Sequence, residues 1–254
     1  MNKITKPLFS IITVVKNDEN NIQKTILSII NQEYKNFEYI VVDGNSKDST
    51  ISLINEHKEN IDYIICEDDE GIYHAMNKGA KISNGEFIVF VNSGDFLTVK
   101  ALKLIEEKIK EKPNIDFIFG TVKRHYTKDT IIKYGFKRKR LKYNFDFATS
   151  HSTGFYLRKS KFEEIGFFNT KYKCSADYDV YYKILITKNA EGTYTEKENL
   201  IGEVSSGGYS SKLSLMDHIF EETKIRYDNK QNIFLVVLIF FNSLVKNIFK
   251  KIFN

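Results

Sequence analysis

The sequence predicts an α/β protein built on a mostly parallel sheet with helices on both faces. Segments typical of strands and helices alternate through residues 1–98, which is the pattern of a parallel sheet with crossover helices. The strand segments are continuous apolar runs, as expected for strands covered on both faces. Acidic and small polar residues follow several of these strands, where ligands bind on such sheets.

The first half contains four predicted strands and three predicted helices. The strands are predicted over 8–15, 37–42, 62–66 and 87–91, and the helices over 21–32, 49–58 and 72–82. In the first helix Ile22, Ile26, Ile29 and Ile30 share one side, at the spacing of an amphipathic helix.

The second half is less regular. Helices are predicted over 101–111, 160–165 and 177–187, and strands over 117–122, 130–134 and 153–158. Because the alternation is lost, we interpret this half as α+β decoration that completes the same domain, so that 1–228 forms a single domain.

The composition is that of a soluble globular protein with a formal net charge of +5. Cys66 and Cys174 lie far apart without metal-ligand spacing, which indicates reduced thiols in a cytoplasmic protein. The N-terminus has no apolar signal core, so nothing in it indicates export. Positive charge is concentrated in 137–140 and near the C-terminus.

Residues 229–254 predict a C-terminal amphipathic helix. An apolar run over 233–241 is followed by polar pairs every four residues, with apolar pairs between them, which gives one basic and one apolar stripe. A spanning helix needs about 20 apolar residues, so we expect an interfacial helix whose lysines face anionic headgroups. The protein would then be peripheral on the cytoplasmic face of the inner membrane. The alternative is a helix docked on the body or on another subunit.

Several common site motifs are absent from the sequence. No G-x-G-x-x-G follows the first strand, and neither G-x-x-x-x-G-K-[ST] nor G-x-S-x-G occurs. This excludes the usual glycine cradles for dinucleotides and triphosphates and the hydrolase nucleophile elbow. A nucleotide would have to be held by carboxylates and a metal ion.

Four polar segments are the candidates for chemistry. They are V-V-D-G-N-S-K-D-S-T (41–50), C-E-D-D-E-G-I-Y-H-A-M-N-K-G (66–79), F-V-N-S-G-D (90–95) and S-A-D-Y-D-V (175–180), with His151 upstream of the last. Each is weak alone, because Asp and Ser in such loops commonly form turns and helix caps. Ser49 and Thr50, for example, can cap the next helix.

In this order and spacing the segments resemble the family 2 glycosyltransferases with the GT-A fold, over roughly residues 7–210. I-I-T-V-V-K-N-D-E-N-N-I is similar to that family's first strand, and S-S-G-G-Y-S at 205–210 resembles a late loop of a bacterial branch. That branch builds surface polysaccharides of the O-antigen, capsule or colanic-acid type. The resemblance implies a Rossmann-like GT-A sheet, with 1–98 as the nucleotide-sugar-binding half, 99–228 as the acceptor-side half and 229–254 as a membrane-associating segment.

The resemblance implies a nucleotide-sugar site in the first half. Asp43 would meet the uracil, with Thr13, Val14 and Glu19 lining the nucleoside pocket. Glu67 and Asp69 would lie beside the base or ribose, and Lys78 is a candidate for the diphosphate. Asn92, Ser93 and Gly94 would form the turn that carries the metal ligand.

The resemblance also implies the catalytic groups. Asp95 would ligate Mg²⁺ or Mn²⁺, which prefer oxygen ligands, and the ion would neutralise the leaving diphosphate. Asp177 would be the general base of an inverting transfer, and its place at a helix start is expected to keep it ionised. Asp179 is the rival acid. His151 is either a core histidine or a phosphate contact.

Four positions depart from the family pattern. Asn92 and Gly94 stand where the family often has Asp, so Asp95 is the only carboxylate of that turn. His74 stands where the branch has Asp, and Ala176 replaces a Glu before the catalytic acid. Because the first two departures replace usual carboxylates, we expect the metal stoichiometry and geometry to differ from the family pattern.

The sequence therefore predicts a metal-dependent, inverting hexosyltransferase. It would use a nucleotide sugar, UDP-linked by expectation, and a lipid-linked (polyprenyl-diphosphate) glycan acceptor. Two alternatives stay open: a sugar-nucleotide pyrophosphorylase, which would need a glycine-rich basic loop where 16–19 is acidic, and a non-catalytic carbohydrate-binding or scaffold protein. Nucleic-acid binding is disfavoured, since the basic block lacks interleaved aromatic residues.

Overall fold

A computed structural model of the chain describes residues 6–126, 129–143, 151–205 and 214–252. Eleven strands and nine α-helices lie within these residues. The strands are β1 (Phe9–Val15), β2 (Phe37–Asp43), β3 (Tyr63–Cys66), β4 (Phe87–Phe90), β5 (Phe96–Leu97), β6 (Phe117–Phe119), β7 (Thr121–His125), β8 (Thr130–Lys133), β9 (Phe155–Arg158), β10 (Gly192–Tyr194) and β11 (Leu200–Val204). The helices are α1 (Ile22–Ile30), α2 (Thr50–Asn55), α3 (Ile72–Ile82), α4 (Ala101–Glu111), α5 (Arg138–Tyr143), α6 (Lys159–Glu164), α7 (Ala176–Tyr182), α8 (Leu215–Asp228) and α9 (Ile233–Ile252).

The main sheet has seven strands in the order β10-β6-β9-β4-β1-β2-β3. All neighbours in it are parallel except β9, which runs antiparallel to both β4 and β6. A second sheet has four strands in the order β5-β11-β7-β8. The predicted α/β class, mostly parallel sheet and α+β second half are confirmed.

Helices cover both faces of the main sheet because side chains alternate along each strand. On β1, Ile12 and Val14 pack in the cluster that contains α3 and α7. Phe9 and Ile11 point the other way, into the cluster with α1, α2 and α4. Each fully buried side chain of this size contributes roughly 1.5–3 kcal/mol, so both layers stabilise the sheet.

The predicted strand over 117–122 is divided in the structure. β6 belongs to the main sheet and β7 to the small one, with Gly120 between them. A Cβ at Gly120 would lie 2.3 Å from Cδ1 of Ile201, so only glycine allows this close approach. The chain changes sheets at this point.

Two predicted helices differ in their details. The helix predicted over 177–187 begins at Ala176 and continues beyond Tyr182 as a π-helical turn, Lys183–Thr187. The helix predicted over 49–58 is shorter, since α2 ends at Asn55 and a 3-10 turn follows. Ser49 was expected to cap it, but its side chain makes no capping bond; Asp48 Oδ1 accepts from the Thr50 amide instead, at 3.0 Å.

The C-terminal helix is present, and α8 precedes it. Among the described residues, no helix combines the length and apolarity needed to cross a bilayer. α8 starts with a reciprocal capping box, in which Ser214 Oγ accepts from the Asp217 amide and the Asp217 carboxylate accepts from the Ser214 amide.

Candidate active site

The polar loops after β1, β2, β3 and β4 meet at one edge of the main sheet. β1, β2 and β3 are in register there, with Val15 opposite Asp43 and Asp43 opposite Cys66. Backbone bonds join the loops themselves: the amide of Glu67 donates to Asp43 O at 3.1 Å, and that of Ser93 donates to Val14 O at 3.2 Å. The loops that carry the candidate residues therefore lie next to one another at this edge of the sheet.

Asp43 organises the loop that follows β2. Its side chain is fully buried, and the carboxylate accepts from the Ser46 amide at 2.9 Å, from the Ser46 hydroxyl and from the Cys66 thiol at 3.2 Å. These contacts are those of an Asp that stabilises a turn, which was the alternative to a nucleotide contact. A base or ribose contact would use oxygen lone pairs that these donors leave free.

The first strand presents its backbone, not its side chains, to this edge. Thr13 is fully buried, and its hydroxyl donates to Val91 O at 2.8 Å. Val14 is buried in the core. Glu19 is exposed and accepts from the Ser49 amide at 2.9 Å, so it joins the loops after β1 and β2.

The acidic loop after β3 is held by Lys78. Its Nζ lies 2.8 Å from Glu67 Oε1 and 2.7 Å from Asp69 Oδ1, and it donates to Asp68 O at 2.9 Å. Burial lowers the pKa of Lys78, but these two carboxylates outweigh it and raise the pKa. His74 adds a contact of 3.6 Å from Nδ1 to Asp69 Oδ1. Lys78 is thus a fixed positive charge inside the acidic loop.

The turn 92–95 is tightly shaped. Gly94 has φ of +93°, a conformation that favours glycine, so an Asp at this position would strain the turn. Ser93 Oγ donates to Asp18 Oδ2 at 2.6 Å, and the Asp95 amide donates to Asn92 O at 2.9 Å. Asn92 Oδ1 is buried without a hydrogen-bond partner among the described residues.

Residues from the second half of the chain cover Asp95. Its side chain is buried; Oδ2 accepts from Thr153 Oγ1 at 3.0 Å, and Oδ1 accepts from the Ser205 amide at 3.0 Å. His151 Nδ1 is 3.1 Å from the same Oδ2. Segments from both halves therefore converge on this carboxylate.

The donor set around Asp95 fits a small divalent ion in part. Asp95 Oδ2 and His151 Nδ1 lie 3.1 Å apart, so both could help to hold one divalent ion, for which carboxylate oxygens are preferred ligands. A carboxylate offers about four acceptor positions, of which Thr153 and Ser205 use two. Within the described residues, no group of three His, Cys, Asp or Glu could hold a metal ion, so a diphosphate would have to supply further ligands.

Asp177 stands in the first turn of α7, partly buried beside apolar side chains. Its Oδ1 accepts from the Tyr178 amide at 2.8 Å and from the Tyr73 hydroxyl at 3.3 Å. A small apolar pocket lined by Phe90, Phe168 and others borders it. Burial raises the pKa of Asp177, and the Tyr178 amide and nearby His151 lower it by less. Desolvation therefore affects the pKa of this carboxyl more than the amide at the helix start does.

Asp179, the rival acid, faces away from this pocket. It is 1% exposed, with Oδ2 2.8 Å from Lys183 Nζ and Oδ1 accepting from Asn229 Nδ2 at 2.8 Å. It therefore ties α7 to the end of α8, which is a structural role.

This role predicts the behaviour of Asp179→Asn. We expect a loss of about 1–3 kcal/mol in unfolding free energy, because a buried charged partner is removed, with kcat close to that of the wild type. Thermal unfolding and steady-state kinetics on the same preparation test this. A loss of turnover without loss of stability would restore Asp179 as a candidate base.

Sequence reasoning missed several residues that shape the site. Tyr73 and Ser205 lie inside quoted motifs and Thr153 follows His151 by two residues, but no pattern links these three residues to Asp95 or Asp177 across the chain. Of S-S-G-G-Y-S only Ser205 is described, and 206–210 lie outside the described residues.

The sequence model of Glycosyl transferase family 2 matches residues 10–166 of the chain. The chain belongs to glycosyltransferase family 2. A PGL/p-HBAD biosynthesis glycosyltransferase of Mycobacterium bovis is 31% identical over 179 residues, 68% of this family 2 chain and 68% of that protein. An uncharacterized glycosyltransferase of Haemophilus influenzae is 24% identical over 183 residues, covering 70% of this chain and 62% of that protein.

Solved structures share the fold of this glycosyltransferase. S. aureus TarS 1–349 in complex with UDP-GlcNAc superposes with a TM-score of 0.67 at 17% identity, over 87% of this chain and 65% of that one. The mannosyltransferase PcManGT from Pyrobaculum calidifontis, in complex with GDP-Man and Mn²⁺, gives 0.64 at 15% identity, over 90% and 66%. This chain thus spans just under two-thirds of either solved chain. At these identities the likeness concerns the fold alone.

Proposed function

We propose that this family 2 glycosyltransferase moves a hexose from a UDP-linked donor to a hydroxyl of a lipid-linked glycan, with inversion, in bacterial surface polysaccharide biosynthesis. The observation that carries this is Asp177, a partly buried carboxylate with a raised pKa at the junction of the two halves. A base whose pKa lies nearer the working pH transfers protons more effectively. Tyr73 holds one of its oxygens.

Asp177 would take the proton from the acceptor hydroxyl as that oxygen attacks the sugar C1. Direct attack from the face opposite the nucleotide turns an α-linked donor into a β-linked product. The apolar side chains of the pocket beside Asp177 would limit the access of water, which favours transfer over hydrolysis. Asp177 would return the proton to solvent after product release.

The diphosphate end of the donor would lie at the turn 92–95. Asp95, with His151 beside it, would hold Mn²⁺ or Mg²⁺. When bound, the ion supplies positive charge to the leaving nucleoside diphosphate. The buried Asn92 Oδ1, which has no hydrogen-bond partner among the described residues, is a further oxygen donor of the kind these ions prefer.

The donor assignment rests on the solved relatives and on the sequence motifs. The TarS structures contain UDP and UDP-GlcNAc, whereas PcManGT contains GDP-Man, and both resemble this chain in fold. In this chain, the acidic loop after β3, which holds Lys78, is the segment that would contact the nucleotide. We propose UDP over GDP on the sequence resemblance of 41–50 and 66–79.

The deciding experiment is a donor screen that measures nucleotide release from UDP- and GDP-sugars, with Mn²⁺ and a polyprenyl-diphosphate sugar as acceptor. Linkage analysis of the product then gives its stereochemistry. The proposal predicts acceptor-dependent UDP release and a β-linkage. Release from GDP-sugars alone would overturn the donor, and binding of sugars without any turnover would favour the scaffold alternative.

A further inference from the structure

The helix α9 exposes a continuous apolar stripe. Phe234, Leu238, Phe241 and Val245 are 83%, 66%, 58% and 49% exposed, and their spacing of four, three and four places them on one helix face. The opposite side is anchored, since Ile239 is 1% exposed. Large apolar side chains left this open on an ordered helix indicate an interaction surface.

α8 extends the same surface. Leu215, Met216 and Phe220 are 48%, 41% and 55% exposed. The ring of Phe220 lies 5.7 Å from that of Phe240, which lies 5.5 Å from Phe241. A chain of aromatic contacts therefore joins the exposed residues of the two helices into one apolar face.

A basic helix borders this face. Arg226 of α8 donates to Leu141 O at 2.7 Å and to Lys142 O at 3.2 Å, and Gln231, in the turn before α9, donates to Lys142 O at 2.5 Å. These bonds fix α5 beside the α8–α9 junction. Lys137, Lys139 and Lys142 are exposed there. Neither 137–143 nor 229–254 contains an Asp or Glu.

We propose that α5, α8 and α9 together form a docking surface for an anionic lipid bilayer. α9 has 20 residues and is therefore about 30 Å long, so it can lie along the interface with its apolar face in the acyl region and lysines at headgroup level. A second copy is a poorer occupant. A two-fold dimer through this face would bring the basic residues of both copies together, where like charges repel.

The surface is tested by flotation of the full-length protein with phosphatidylcholine vesicles, with and without phosphatidylglycerol. We expect binding that needs phosphatidylglycerol and weakens with salt. Phe234→Gln with Leu238→Gln and Phe241→Gln should lower the partition coefficient at least about 100-fold. Substitution is preferable to deleting 233–254, because deletion would uncover the surface beneath Ile239.

Matched variants distinguish vesicle binding through this face from nonspecific adsorption of the protein. Ile131→Gln with Ile132→Gln removes apolar side chains that are 44% and 45% exposed on β8, and should leave binding unchanged. The contribution of charge is tested in the same way. Neutralising the lysines of 137–143 should lower the partition coefficient about 10-fold or more, whereas neutralising an equal number of exposed lysines elsewhere should have little effect. The lysines of 137–143 are Lys137, Lys139 and Lys142, and the control set is Lys58, Lys81 and Lys112.

Two results would overturn the bilayer surface. One is vesicle binding that the α9 variant retains; the other is a wild-type dimer in solution that the same variant converts to a monomer without any vesicle binding. Flotation needs no turnover, so its outcome is independent of the donor screen.

A separate observation concerns the segment before α7. The carboxylate of Glu221, on α8, accepts from the backbone amides of Lys173, Cys174 and Ser175 at 2.6, 2.9 and 3.0 Å. Burial raises the pKa of Glu221, but these amides outweigh it and lower the pKa. Ser175, at the helix start, makes no side-chain capping bond. Glu221 thus holds, from another helix, the three backbone amides of the segment that leads into α7.

The geometry points to Glu221 as a positioning residue for Asp177, an inference that rests on the proposed role of Asp177 as base. Asp177 is two residues beyond Ser175, in the first turn of α7. Releasing three amides there would let the turn move and admit water, and misplacement by about 1 Å can cost roughly 10²-fold in rate.

Kinetics distinguish positioning from stability alone. In Glu221→Ala we expect kcat to fall about 10- to 100-fold with little change in the donor KM, and the acid limb of the kcat profile to move to lower pH as Asp177 becomes hydrated. Glu221→Gln keeps one acceptor and should recover part of the loss. Tyr172→Phe removes a 2.7 Å bond to Asp228 between the same elements and should leave the acid limb in place.

Hydrogen exchange keeps this test independent of turnover. Glu221→Ala should deprotect the amides of Lys173, Cys174 and Ser175 while the core strands stay protected. Unchanged protection of these amides, or a lower Tm with kcat and the acid limb unmoved, would overturn the positioning role. A wild type without transferase activity would instead refute the proposed function.

Discussion

Asp177→Asn is expected to lower kcat about 10²–10⁴-fold, the usual contribution of a positioned general base. Asparagine keeps the shape and the hydrogen bond from the Tyr178 amide, but it cannot take a proton. The donor KM should change little, since the acceptor hydroxyl is the group that Asp177 would contact. The measurement is UDP release with saturating acceptor. Turnover equal to that of the wild type would contradict the assignment.

The same substitution should leave the protein equally or more stable near neutral pH. The pKa of Asp177 is raised by burial, so folding favours its protonated form. This contribution is fully present below the unfolded-state pKa and is lost as pH rises through the folded-state pKa. The asparagine variant would lack that dependence, and the difference in Tm between wild type and variant should therefore shift towards the variant as pH rises. Such a result would be a trade-off between stability and activity, in which the charged group needed for activity lowers the stability of the fold.

Asp95→Asn is expected to abolish metal-dependent turnover and to weaken Mn²⁺ binding more than about 100-fold, because even indirect partners of a metal ion contribute 10–100-fold. Asn keeps an acceptor for the Ser205 amide, so the turn should stay folded. Electron paramagnetic resonance of Mn²⁺ measures binding without relying on activity. Activity that survives the substitution would refute the metal role.

Asp95→Ala separates the two functions of this carboxylate. It removes the acceptor for both Thr153 and the Ser205 amide, and each unpaired buried donor costs about 1–3 kcal/mol. We therefore expect Ala, but not Asn, to lower Tm as well. Equal unfolding temperatures for the two variants would show that these contacts add little stability.

The first half of the fold could be predicted because it is built from local units. The four strand predictions for β1–β4 lie within about two residues of the observed bounds, since parallel strands buried on both faces are continuous apolar runs. The loops that follow them were equally visible as polar clusters. The contacts within these loops could not be predicted, because nothing in the sequence indicates that Lys78 pairs with Glu67 and Asp69.

The second half depends on contacts between distant residues. α8 has no clear apolar stripe, because Phe220 is exposed while Arg226 is fully buried, and it was not predicted. The partner of Asp179 lies 50 residues away at Asn229, so its structural role could not be read from spacing. The raised pKa of Asp177 likewise arises from burial, which depends on residues distant in the sequence such as Phe90.

The antiparallel strand β9 has a consequence for how the molecule assembles. In the main sheet β6 is linked to the earlier strands through β9, and β9 is complete only once residue 158 has been synthesised. The first four strands, by contrast, are connected by short crossovers that close quickly. The strands of the amino-terminal half can therefore pair during synthesis. The segment that carries Asp177 is among the last to pack against the rest of the protein.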